Sequence, residues 1–106
     1  MAALFPSPSV KPKGYGQLGN LSDVTPLGNV TVNGATGIPG GANYALIQAV
    51  GGNVSWTDDG VTDPGGNLGL GMVIVAGAEP QGFAGQQLRS MKLVGSGMVS
   101  VSFYQL

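Results

Sequence analysis

The chain of 106 residues has no cysteine, no histidine and few charges, with four cationic and five acidic side chains. Charged residues make up 8% of it, against about 25% in an ordinary soluble domain. Each absence removes a class of chemistry. Without cysteine there is no disulfide framework and no thiolate zinc site, and without histidine there is no Ser-His-Asp or Cys-His nucleophile system. The carboxylates are Asp23, Asp58, Asp59, Asp63 and Glu79, and the fixed cations are Lys11, Lys13, Arg89 and Lys92. General acid–base catalysis most often recruits histidine, so the chain is expected not to be an enzyme and to use no cofactor. A net charge of −1 and a pI near 4.8 supply no basic field for phosphate backbones, which argues against nucleic acid as a partner. The longest nearly apolar stretch, Leu68 to Ala78, falls short of the ~20 residues a membrane helix needs and is interrupted by glycine. The N-terminus lacks the basic region and apolar block of a secretory signal, so neither a membrane nor an export route is expected.

What the chain does have is glycine, proline and short apolar runs. There are 20 glycines and 7 prolines, and the glycines follow no three-residue period, which excludes a collagen helix. A hydrophobic fraction of 42% and a mean hydropathy of +0.23 speak against charge-driven disorder. The length suits one domain with a modest core.

The sequence divides at residue 28. Over residues 1–28, Pro6, Pro8, Pro12 and Pro26 fix φ and push their predecessors towards extended conformations. Apolar residues recur through this stretch at irregular spacing. An extended N-terminal arm is expected, dropping Leu4, Phe5, Val10, Tyr15, Leu18 and Leu21 into pockets of its own subunit, a sister subunit or a foreign partner. Deleting residues 1–28 is expected on this reading to leave the remaining domain folded and to abolish attachment. Residues 29–106 read as an antiparallel β domain. Asn29 to Asn33 alternates polar and β-branched residues and ends in the hairpin dipeptide Asn33-Gly34. Tyr44 to Val50 is a strand, Gly51-Gly52-Asn53 a turn, and Val54 to Asp58 an antiparallel return. Leu70 to Ala76 is apolar on both faces and predicts a strand covered on both sides. Gln87 to Val94 and Met98 to Leu106 read as a last hairpin joined by Gly95-Ser96-Gly97. In its second strand Val99, Val101 and Phe103 face one way while Ser100, Ser102 and Tyr104 face the other. Glycine interrupts nearly every helical window. The fold class expected is all-β, a small antiparallel sandwich or jelly-roll-like barrel of five to eight strands.

Few segments are candidates for specific chemistry. Asp58, Asp59 and Asp63 could offer oxygens to Ca²⁺, but the spacing is not that of an EF-hand loop and no closing glutamate follows. Asp-Gly and Asp-Pro-Gly are turn formers, and the turn is the reading adopted, with no metal assigned. Trp56 could stack on a sugar, although a single tryptophan in a small β domain usually belongs to the core. Gly14-Tyr15-Gly16 and Gly37 to Gly41 lack the strand-to-helix context of a phosphate loop. Arg89 and Lys92, three apart on the expected strand, fall on opposite faces and form no basic patch. A surface with so few charges suits burial against other proteins, because charge is depleted from interface cores.

The string Tyr44-Ala-Leu-Ile-Gln-Ala-Val-Gly-Gly-Asn-Val-Ser-Trp-Thr-Asp-Asp-Gly-Val-Thr-Asp-Pro64, followed by Gly71-Met72 and by Val99-Ser-Val-Ser-Phe-Tyr104, resembles small virion proteins of tailed bacteriophages. The resemblance does not extend to the arm, and it departs from the pattern at Gly65, where threonine usually follows the Asp-Pro pair. It implies a jelly-roll-like β fold and a capsid cement (decoration) protein, assembled in the bacterial host cytoplasm and carried on the phage head surface. The implied partner is the major capsid protein, and the implied state is a homo-oligomer, commonly a trimer, that clasps neighbouring capsomers. It carries no catalytic residues. Another virion part (tail, head–tail adaptor, or a fibre with a glycan-binding tip built on Trp56) is the alternative.

Overall fold

The computed structural model describes residues 10–65 and 70–106. Among them the chain forms ten strands, one short α-helix and a 3-10 turn over Leu27–Asn29: β1 Lys11–Leu18, β2 Thr25–Pro26, β3 Thr31–Val32, β4 Ala35–Thr36, β5 Tyr44–Val50, β6 Val54–Thr57, β7 Met72–Ile74, β8 Gln81–Ala84, α1 Gln86–Ser90, β9 Lys92–Gly95 and β10 Met98–Gln105. They build two antiparallel sheets, a larger one of order β4-β3-β1-β10-β5-β8 and a smaller one of order β2-β9-β6-β7. The protein is a small all-β sandwich, the class expected from the short alternating runs.

Period-two alternation sets the inner face of the larger sheet. Val99, Val101 and Phe103 of β10 are buried, as are Ala45, Ile47 and Ala49 of β5. The register fits large residues to small ones. Phe103 lies opposite Ala45, and Ala45 lies opposite Phe83 of β8, so an alanine separates two phenylalanines along that row. The smaller sheet contributes Val54, Ile74 and Leu93 to the same core. Asn33 and Gly34 close the β3–β4 hairpin with φ of 52° and 82°, the left-handed pair that a two-residue I′ turn requires.

The β5–β6 and β9–β10 connections differ from the expected hairpins. β5 pairs with β10 in the larger sheet, and β6 pairs with β9 in the smaller one. The two strand pairs therefore form one ribbon that folds over from sheet to sheet, with Val50 opposite Met98 just before the fold and Val54 opposite Gly95 just after it. Two glycines make the fold possible. A Cβ on Gly97 would lie 2.3 Å from the Gly52 carbonyl oxygen, and one on Gly52 would lie 2.8 Å from the Gly97 nitrogen. Both clashes are with backbone, which cannot move aside as a side chain does.

Three other expectations are corrected. The boundary at residue 28 does not hold, because β1 lies inside the larger sheet, paired with β10 on one side and β3 on the other. Gln86–Ser90 forms a turn of helix, not the start of a strand; no glycine interrupts it, and it buries Leu88 where the chain passes from β8 to β9. The Leu70–Ala76 run is not covered on both faces. β7 is the edge of the smaller sheet, and only Ile74 in it is buried.

Candidate interaction surfaces

The residues expected to form a partner-binding arm fall into three groups. Leu4 and Phe5 lie outside the described residues. Leu18 and Leu21 are buried in the chain's own core, together with Leu27 and Val30. These two are corrected from partner contacts to structural ones, because the β1 register turns Leu18 inward beside Val99 and the following turn seats Leu21 beneath β9, where its carbonyl accepts the Gly95 amide at 2.8 Å. Val10 is half-buried, while Tyr15 is 73% exposed on the outer face of β1.

The acidic segment is tied up in its own turn. Asp59 Oδ1 accepts the Val61 and Thr62 amides at 2.9 and 2.7 Å, and its Oδ2 accepts the Thr62 hydroxyl at 2.5 Å. The hydrogen bonds from Thr62, then that from Val61, hold the Asp59 carboxyl at a pKa of about 2, below its usual 3.8. Asp58 accepts from the Gln87 side-chain amide at 2.9 Å, and Asp63 pairs with Lys92 at 3.2 Å. The carboxylates thus point to three different donors, and no group of three metal-ligating side chains gathers among the described residues. Below the turn, Thr57 is buried and donates its hydroxyl to the Thr62 carbonyl at 2.6 Å.

Trp56 is not an exposed platform. It packs edge-on against Phe83 with ring centroids 4.8 Å apart and rests against the core. Its indole nitrogen is buried without a hydrogen-bond partner among the described residues. Arg89 sits in α1 and Lys92 in β9, so the single strand expected to carry both does not exist.

The surface that composition alone did not reveal runs along β7. Leu70, Met72, Val73 and Val75 are 45%, 62%, 47% and 50% exposed, and no charged residue occurs from Leu70 to Ala78. Apolarity made this segment look like a buried strand. Its three-residue length and its position at the sheet margin leave it open instead. Proteins commonly guard such edges with charge or cover them; here the Gln81 side chain donates to the Val73 carbonyl at 3.5 Å and the Asn53 side chain accepts the Ala76 amide at 2.9 Å. No helix among the described residues is long and apolar enough to cross a membrane.

Fold and surface together define a small β-sandwich with an apolar margin along β7. Comparison with known proteins finds no matching family model, no matching curated protein and no matching solved structure.

Proposed function

We propose that the protein is a structural component of a tailed-phage virion, a cement protein that sits on the head surface and holds neighbouring capsomers through its contacts with the major capsid protein. The observation that carries this reading is the exposed apolar strip along β7. Large apolar patches on small soluble domains mark protein interfaces, and this one lies on a chain with almost no charge to keep neighbours apart. The resemblance adds support: its residues occupy β5, β6, the Asp58–Pro64 turn, the start of β7 and most of β10, so they include three of the four strands of the sheet-to-sheet ribbon. A ribbon that folds across two sheets suits a jelly-roll-like description. Self-association into a trimer would let one unit reach several capsomers at once.

The test uses shells assembled from the accompanying major capsid protein. The wild-type chain is expected to bind them saturably and to raise the temperature at which they break. Val73→Asp would place an unpaired charge in the contact, at a cost of several kcal/mol, and is expected to abolish binding while leaving the thermal midpoint of the free protein unchanged. Undiminished binding by Val73→Asp would contradict the role of the strip. Binding confined to one vertex would assign the protein to the tail or adaptor instead.

A further inference from the structure

The larger sheet has an outer face that the proposed attachment does not use. Strand register aligns Thr31, Gln17, Ser100 and Gln48 in one row across β3, β1, β10 and β5. The next row holds Tyr15, Ser102 and Leu46. Beyond it, Tyr104 and Tyr44 stand with tilted rings, centroids 6.4 Å apart. All of these side chains except Tyr44 line a groove of about 930 Å³, walled by the Asn33–Gly34 turn on one side and by Pro80 on the other. No charged residue lines it. Among the described residues, the side chains of Gln17, Thr31, Gln48, Ser100 and Ser102 enter no intramolecular side-chain hydrogen bond. No side-chain hydrogen bond among the described residues occupies their donors and acceptors.

This chemistry selects a ligand class. An anionic ligand would want a cation, and a cationic one would want a carboxylate; the groove offers neither. A dry apolar partner would bury the glutamine amides and serine hydroxyls unpaired, and each such group left without a partner costs about 1–3 kcal/mol. A neutral polyhydroxyl chain meets both conditions. Its hydroxyls donate and accept, as glutamine and serine do, and its C–H faces can lie on an exposed tyrosine ring. Adjacent strands repeat every ~4.8 Å, so successive groups in the row can address neighbouring hydroxyls along the chain.

We propose that the outer face of the larger sheet is a binding groove for a neutral carbohydrate chain, with Gln17, Ser100 and Gln48 as its hydrogen-bonding row and Tyr15 as its stacking platform. The site differs from the glycan-binding tip on Trp56 named in the alternative reading, since that side chain packs against the core. It lies on the other sheet from the β7 strip, and its success or failure is independent of attachment to a shell.

The experiment titrates the full-length protein, followed by amide NMR, with three neutral oligosaccharides: cellohexaose, maltohexaose and N-acetylated chitohexaose. At least one is expected to give saturable shifts centred on Tyr15, Gln17, Gln48 and Ser100, with the same affinity at low and high salt. Tyr15→Ala and Gln48→Ala are each expected to weaken that binding about tenfold or more, roughly 1.4 kcal/mol, without changing the thermal midpoint. Val73→Asp, on the other sheet, is expected to bind as the wild type does. The proposal is overturned if none of the three sugars shifts these amides, or if binding persists undiminished in the Tyr15→Ala, Gln48→Ala double variant.

Discussion

Single residues in this chain carry work that their type alone does not announce. Asp59 is the clearest case, since its carboxylate ties the β6–β7 connection by accepting from Val61 and Thr62. Because its folded pKa is depressed to about 2 from 3.8, the folded state binds this proton less readily than the unfolded state does. The stabilisation is therefore fully present above pH 4 and is lost as pH falls towards 2. Asp59→Asn is expected to lower the thermal midpoint at neutral pH and to flatten its acid dependence across that window; melting curves between pH 5 and 2 check this. An unchanged acid dependence in the variant would assign the loss to other carboxylates. The Lys92–Asp63 pair is half-exposed to exposed, and a surface pair of this kind contributes little. At this scale the acidic cluster was legible as a turn, because Asp followed by Gly or Pro-Gly has a defined backbone preference. Its partners Gln87 and Lys92 come from distant positions in the chain and had no local signature.

At the scale of the element, alternation was the dependable signal. Tyr44–Val50 and Met98–Gln105 were both readable, because each has one face against the core and one against solvent. What misled was length and pairing. Proline and glycine argued against an α-helix, and none forms over the described residues 10–28, yet an extended segment can be a strand as readily as an arm, and only the availability of a neighbour decides. β1 finds that neighbour in β10, which lies at the far end of the sequence. The crossovers at Gly51–Asn53 and Ser96–Gly97 were legible as turns but not as changes of sheet, since a glycine-rich turn looks the same in either case. Deleting residues 1–28 is accordingly expected to unfold the protein: it removes β1 from between β3 and β10 and takes Leu18, Leu21 and Leu27 from the core. Circular dichroism and amide NMR should show loss of a cooperative melt and of signal dispersion. A truncated chain that melts cooperatively would restore the detachable arm.

For the whole molecule, the poverty of charge is what the proposed packing against other proteins calls for. A 10.6 kDa sandwich that leaves apolar side chains along an open edge gains by covering them, and the outer face of its other sheet offers neutral hydrogen-bonding groups in place of ions. Composition set how few charges the surface carries but not where the apolar strip lies, because that depends on which strand ends at the margin. The central claim is that this protein acts by packing against many copies of another protein. Counting its copies in intact particles, by quantitative gel and by image reconstruction, tests that most directly. The account predicts an occupancy that follows the symmetry of the shell, repeated at equivalent sites over the whole head. A handful of copies at a single vertex, or none on the particle at all, would contradict it.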